Sequence, residues 1–136
     1  MSTSNIQTGN LFKNATFSAL TAAAVNAVLY YIFSATGTID PALQANGQSI
    51  QITHILMSSI MPTFIAALVF LLIGRFSKQP WKIFRIIAIV LLVLTFANPF
   101  VGIPGITLGM GLVLNLMHLV VFAPILYFFP KSLQNN

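Results

Sequence analysis

The chain has 136 residues, of which 57 % are apolar and 5 % charged. An ordinary soluble domain carries roughly 25 % charged residues, so this composition excludes one and suits lipid instead. Six cations stand against a single acid, Asp40, for a net charge of +5. Four of those cations (Arg75, Lys78, Lys82 and Arg85) crowd one short stretch between two uncharged runs. Nucleic-acid binders set basic residues on a solvated face, whereas a basic segment between apolar runs follows the bias of cytoplasmic loops in membrane proteins. No nucleic-acid partner is therefore expected. Cysteine is absent, which excludes disulfides, thiolate metal sites and cysteine nucleophiles together.

A bilayer core of about 30 Å needs about 20 helical residues, and four segments meet that length. The first runs over about 15–36 and is too long for the core of a cleaved signal, about 7–15 residues, so it reads as a retained span. The linker after it contains Asp40-Pro41, a pairing that fits an N-cap and first helical position and predicts a short turn of helix over 41–45. The second span covers about 50–74. A short basic connection leads to the third, about 80–101, which Trp81 opens as an interfacial anchor. A tight Gly/Pro turn over 102–105 leads to the fourth, about 106–129. Short connections make successive helices antiparallel neighbours. The predicted fold is all-α, a membrane protein built as an up-down bundle of four transmembrane helices, one domain over 1–136. With the basic loop in the cytoplasm, both termini fall there too. All six cations then lie inside and Asp40 outside, as expected of a multi-pass protein of the inner (plasma) membrane.

Chemistry in such a protein depends on polar groups at depth, because lipid cannot satisfy them. Asn26 lies in span one, Ser58, Ser59 and Thr63 in span two, and Asn115 and His118 in span four. Asn115 and His118 are spaced i, i+3 and share a helix face. Ala19, Ala22, Ala23 and Asn26 form a stripe of small residues suited to close helix approach. These six polar residues are a candidate midplane cluster: either interhelical hydrogen bonds of about 0.6 kcal/mol each, or a binding or proton-handling site at His118. His54, Met57 and Met61 recur at helical spacing, and Met117 adjoins His118. Imidazole and thioether ligands suit copper, and two imidazoles suit haem. Spans two and four run parallel, however, and place the two histidines about 12 Å apart in depth. No metal and no cofactor are expected. With Asp40 the only acid, no span carries a carboxylate, which excludes a proton-coupled exporter and a carboxylate-pair hydrolase. No catalytic residue is expected, and the chain reads as non-enzymatic.

Three segments of the second half belong together: Trp81-Lys82-Ile83-Phe84-Arg85-Ile86-Ile87-Ala88, then Asn98-Pro99, then Leu114-Asn115-Leu116-Met117-His118-Leu119-Val120. They resemble a family of small bacterial four-helix integral membrane proteins known only as a domain of unknown function. The likeness lies in the basic middle loop, the Trp at the start of helix three and the Leu-Met-His of the last helix. It spans roughly residues 50–130, implies the same topology, singles out His118, and implies no activity, substrate or cofactor. The leading functional expectation is an interaction or structural role, with membrane lipid around the bundle and a homo-oligomer or membrane-protein partner. The alternatives are a small-molecule or ion conduit or a lipophilic-ligand binder around His118, and a haem or copper protein using His54 and His118.

Overall fold

Helix α1 (Thr8–Ala35) begins well ahead of the apolar run expected from residue 15 in the computed structural model, which describes residues 5–134. Polarity over residues 8–14 does not prevent helix. No proline interrupts them, and the alanine-rich run behind them propagates helix backwards. At its other end α1 stops in a Schellman arrangement. The Thr38 N–H donates to Phe33 O at 2.9 Å and the Gly37 N–H to Ser34 O at 3.1 Å. Gly37, at φ +75°, supplies the left-handed residue this ending needs.

The linker after α1 departs from expectation. Asp40 makes only a turn: its Oδ1 accepts the Ala42 N–H at 2.8 Å and its carbonyl the Leu43 N–H at 3.2 Å. Strand β2 (Gln44–Ala45) then pairs antiparallel with β3 (Gln48–Ser49). Asn46 and Gly47 both take positive φ, 52° and 77°, the conformation of a two-residue hairpin turn. A hairpin thus replaces the helical turn expected over 41–45.

Helix α2 (Ile52–Phe76) contains Pro62, and α3 (Pro80–Thr95) opens on a proline, where the missing N–H would have been unpaired anyway. At 16 residues, α3 is about 24 Å long and falls short of the span expected to residue 101. The cause is Asn98-Pro99, since Pro99 cannot donate to the carbonyl four residues back. Phe96 and Ala97 keep right-handed helical angles, and the chain resumes as α4 (Asn98–Gly102). Helix α5 (Leu108–Phe128) is capped by Thr107, whose Oγ1 accepts the Met110 N–H at 3.2 Å. It continues as a 3-10 turn over Phe129–Ser132. Among the described residues, three helices are thus long and apolar enough to cross a membrane: Thr8–Ala35, Ile52–Phe76 and Leu108–Ser132.

The described chain ends are tied to each other. Strand β1 (Asn5–Ile6) pairs with β4 (Leu133–Gln134), and the Gln7 N–H donates to Ser132 O at 2.9 Å. Ile6 lies against Gly74 near the end of α2. Phe70, Phe84 and Phe129 are buried beside them, with ring centroids 4.9–6.0 Å apart. Trp81, expected only as an anchor, is half-buried and packs edge-on against Phe70 at 6.0 Å. All six cations belong to the segments gathered at this basic end, and Lys131 Nζ sits 3.8 Å over the Tyr127 ring. A second apolar cluster, with Ile39, Ile50, Ile55, Ile103 and Met110, gathers at the far end beside Asp40.

Helix α1 packs most extensively on α2 and α5, while α3 rests more lightly against the same two. The face α1 buries between residues 15 and 26 carries Ala15, Ser18, Ala19, Ala22, Ala23 and Asn26. Close backbone approach over small side chains is the packing that joins helices where lipid gives no hydrophobic drive. A second close approach joins α4 to α5, where the Phe100 ring lies on Gly111 so closely that a Cβ would overlap it. Helix propensity alone would make Gly111→Ala stabilising by about 0.8–1 kcal/mol. Overlap with the ring reverses the sign, to a net loss of about 1 kcal/mol. Unfolding midpoints in detergent should therefore fall for Gly111→Ala alone and rise for the same change in a Phe100→Ala background. A rise in both would mean that α4 does not dock there.

Candidate functional site

Asn26 ends the small-residue face of α1 and is 2 % exposed. Its Nδ2 donates to Ser59 Oγ at 3.0 Å on α2 and to Met117 O at 3.2 Å on α5. One side chain thus joins three helices. The orientation of the amide follows from its partners. Ser59 commits its own hydrogen to Ile55 O at 2.7 Å, and a backbone carbonyl can only accept, so both neighbours require a donor. The Asn26 Oδ1 is left buried and without a partner.

Beyond Asn26 toward the far end the helices border an open cavity of about 220 Å³. Asn26 lies at its buried end, and Ser58, His54 and His118 line it from α2 and α5. Ile50, Ile55, Ile103, Leu114, Met117 and Val121 form much of the wall. Asn46 and Gln48 of the hairpin and Asn98 of α4 are exposed and make a rim, and His54 and Ser58 of α2 are exposed as well. The cavity therefore runs from exposed side chains of the hairpin, α4 and α2 inward to the buried Asn26, about 13 Å from the end of α1 at the helical rise. His54 Nε2 meets Gln48 Oε1 at 2.6 Å, which ties the hairpin to α2. His118 Nδ1 lies 2.7 Å from Leu114 O.

The six polar residues read from sequence are placed unevenly. Asn26 and Ser59 are bonded to each other, and Asn26, Ser58 and His118 share the cavity. Thr63 is buried but donates back to Ser59 O at 2.9 Å within its own helix. Asn115 faces elsewhere: its Nδ2 donates at 3.1 Å to Phe96 O, at the break between α3 and α4. His54, read as near the surface and remote from His118, lines the same cavity. Met57 and Met61 are more than half exposed, on the outer side of α2 and away from it. The basic residues Arg75, Lys78, Lys82 and Arg85 belong to the opposite end of the fold. Sequence reasoning missed the rim residues Asn46, Gln48 and Asn98. The Asn-Gly pair at 46–47 is the hairpin signal that could have found the first two.

Bonded and unbonded pairs in this set should be separable energetically. In a double-mutant cycle of unfolding free energies, Asn26→Ala and Ser59→Ala should couple by about 0.6 kcal/mol. Asn26→Ala and Asn115→Ala, which share no partner, should add within about 0.3–0.5 kcal/mol. Equal coupling in both pairs would contradict the separation of Asn115 from the cavity.

No curated protein and no solved structure matches the chain. A family pattern does match, over residues 6–135. It takes in α1, which lies outside the stretch that carries the resemblance in sequence. By that match the chain belongs to a family of unknown function, DUF6069.

Proposed function

We propose that this is a four-span protein of the bacterial inner membrane that works by binding a small uncharged molecule in its far-end cavity. In this reading α3 and α4 together make the fourth crossing, the whole chain is one domain, and the basic end with both termini lies in the cytoplasm. Segregation of every cation to one end supports that orientation. The cavity then opens to the outer side.

The observation that carries the binding reading is convergence. Asn26, Ser58, His54 and His118, from three helices, line one cavity of mixed polarity. Concave, mostly apolar sites with a few placed polar groups are the usual form of small-molecule sites. Binding is favoured over catalysis because the only acid, Asp40, is not among the lining residues. It is favoured over conduction because α1 below Asn26 is packed shut: Ala15 and Ala22 are 0 % exposed and Ala19 is 2 %. Membrane lipid surrounds the bundle, and the outward apolar faces leave room for a second copy or another membrane protein.

Two experiments test this. The chain has no cysteine, so single substitutions report directly. In intact cells a membrane-impermeant maleimide should label Ala42→Cys, and should label Gln79→Cys only after the membrane is opened; the reverse pattern would overturn the topology. Native mass spectrometry after mild extraction should show a bound small molecule on the wild type that is lost in Ser58→Phe, a change that fills the cavity. The same bound species on both proteins, or none on either, would overturn the binding reading.

A further inference from the structure

The wall of the cavity is incomplete on one side. Ser58 lines it and is exposed, as is His54 one turn nearer the far end. On the same side of α2, at intervals of seven below Ser58, stand Ile65 and Leu72, both more than half exposed. In a helix that crosses a bilayer, that side meets acyl chains. The edge of the cavity at Ser58 is therefore continuous with the apolar outer surface of α2. Ser58 also lies about 9 Å along α2 from its start, so the opening reaches below the hairpin. Helix α3 does not close it. The residues α3 buries are Pro80, Phe84 and Ala88, and beyond them Val90, Leu91, Val93 and Leu94 are exposed. The wall passes from α2 to Asn98 and Pro99 of α4 without a residue of α3.

We propose that the cavity opens sideways, between α2 and the break from α3 to α4, into the bilayer leaflet at the far end, and takes from it an uncharged single-chain lipid of the monoacylglycerol kind. The chain enters past Ser58 and lies against Ile55, Leu114 and Val121, while the polar head stays at the level of Asn46, Gln48 and Asn98. This rests on the binding reading above and gives it a ligand class and a route of entry. A lipid in that leaflet already points its head toward the far end and its chain toward the midplane, the order in which the cavity sets its amides and its apolar wall. No Lys, Arg, Asp or Glu lines the cavity, which disfavours an ionised head. Size sets the number of chains. An apolar cavity of about 150 Å³ takes benzene, so 220 Å³ holds part of one chain, with the rest along Ile65 and Leu72.

Trp81 is the one tryptophan of the chain, so Trp81→Phe gives a silent background for single reporters. In that background, reconstituted in phosphatidylcholine bilayers, Leu114→Trp reads the cavity wall and Ile65→Trp the bulk lipid. Monoacylglycerol brominated on its chain, which quenches tryptophan on contact, is titrated in. The mole fraction that half-quenches Leu114→Trp should be about tenfold below that for Ile65→Trp, the worth of one or two net hydrogen bonds to the head. Adding Ser58→Phe should abolish the difference, and adding Asn98→Leu should shrink it. His118→Trp, one turn along α5 on the same wall, is the second reporter if Leu114→Trp fails to fold. Wall reporters quenched at the same fraction as Ile65→Trp overturn the selective site. A preference for brominated phosphatidylglycerol overturns the uncharged head. A difference that persists with Ser58→Phe overturns entry past that residue, and one unmoved by Asn98→Leu overturns the placement of the head. Wall reporters that no brominated lipid quenches overturn the sideways opening. The binding reading survives that last result if native mass spectrometry still shows a bound molecule that is lost in Ser58→Phe, and falls with it if none is seen.

Discussion

Between residues 15 and 26 the face that α1 buries carries alanine, serine and finally one asparagine, and the rest of the structure depends on the closeness this permits. Lipid does not drive helices together as water drives apolar surfaces together. For helices that cross a membrane, contact therefore has to come from shape. Small side chains let the α2 and α5 backbones approach, and only at that closeness can one short amide reach a hydroxyl on α2 and a carbonyl on α5 at once. Past Asn26 the inward residues of α1 enlarge to Leu29, Tyr30 and Phe33, and the cavity begins where the close approach stops. The Tyr30 hydroxyl, 3.3 Å from Ile50 O, then ties α1 to the entry of α2.

The second constraint is that polar groups at depth must be satisfied by the chain itself. Most are. Ser59 and Thr63 bond back within α2, Thr95 does so within α3, and Asn115 reaches the carbonyl of Phe96 at the helix break. That break follows from Pro99, so Asn115 on α5 supports a local defect in α3. Among the described residues, four buried side-chain atoms remain unpartnered: Ser18 Oγ, Asn26 Oδ1, Ser34 Oγ and Asn115 Oδ1. Asn26 alone of these residues lines the cavity. Its unsatisfied oxygen is itself buried.

Much of this was legible in the sequence because two signals survive without tertiary information. Hydropathy located the long apolar helices, and the lopsided cations foretold that residues near both ends and the middle loop would gather at one end. The small-residue stripe and Asn26 could also be read, since helical spacing alone places them on one face. Other features were hidden for definite reasons. The start of α1 was hidden because hydropathy marks apolar length and not where a helix begins. The hairpin at 46–47 was hidden because Asp40-Pro41 offered a competing signal five residues earlier. The i, i+3 spacing of Asn115 and His118 puts them on one helix face, yet that face of α5 looks onto both α3 and the cavity. His54 and His118 were separated by depth counted along their own helices, yet both line one cavity.

The two ends of the molecule are built on opposite principles. At the basic end, buried aromatic rings and paired terminal strands close the bundle, and cations ring it. At the far end the closure is lighter: a two-residue hairpin, a five-residue helix and one histidine–glutamine contact. A hairpin of this size is marginal by itself and holds its place through Tyr30, His54 and the apolar residues beneath it. Such a rim can yield without disturbing the helices, whose association is settled below Asn26. Rigidity under the cavity and slack above it are compatible with the proposed binding of a molecule that enters from one side. A conduit would need the slack to continue through the Ala15–Ala22 contact, where the packing leaves none.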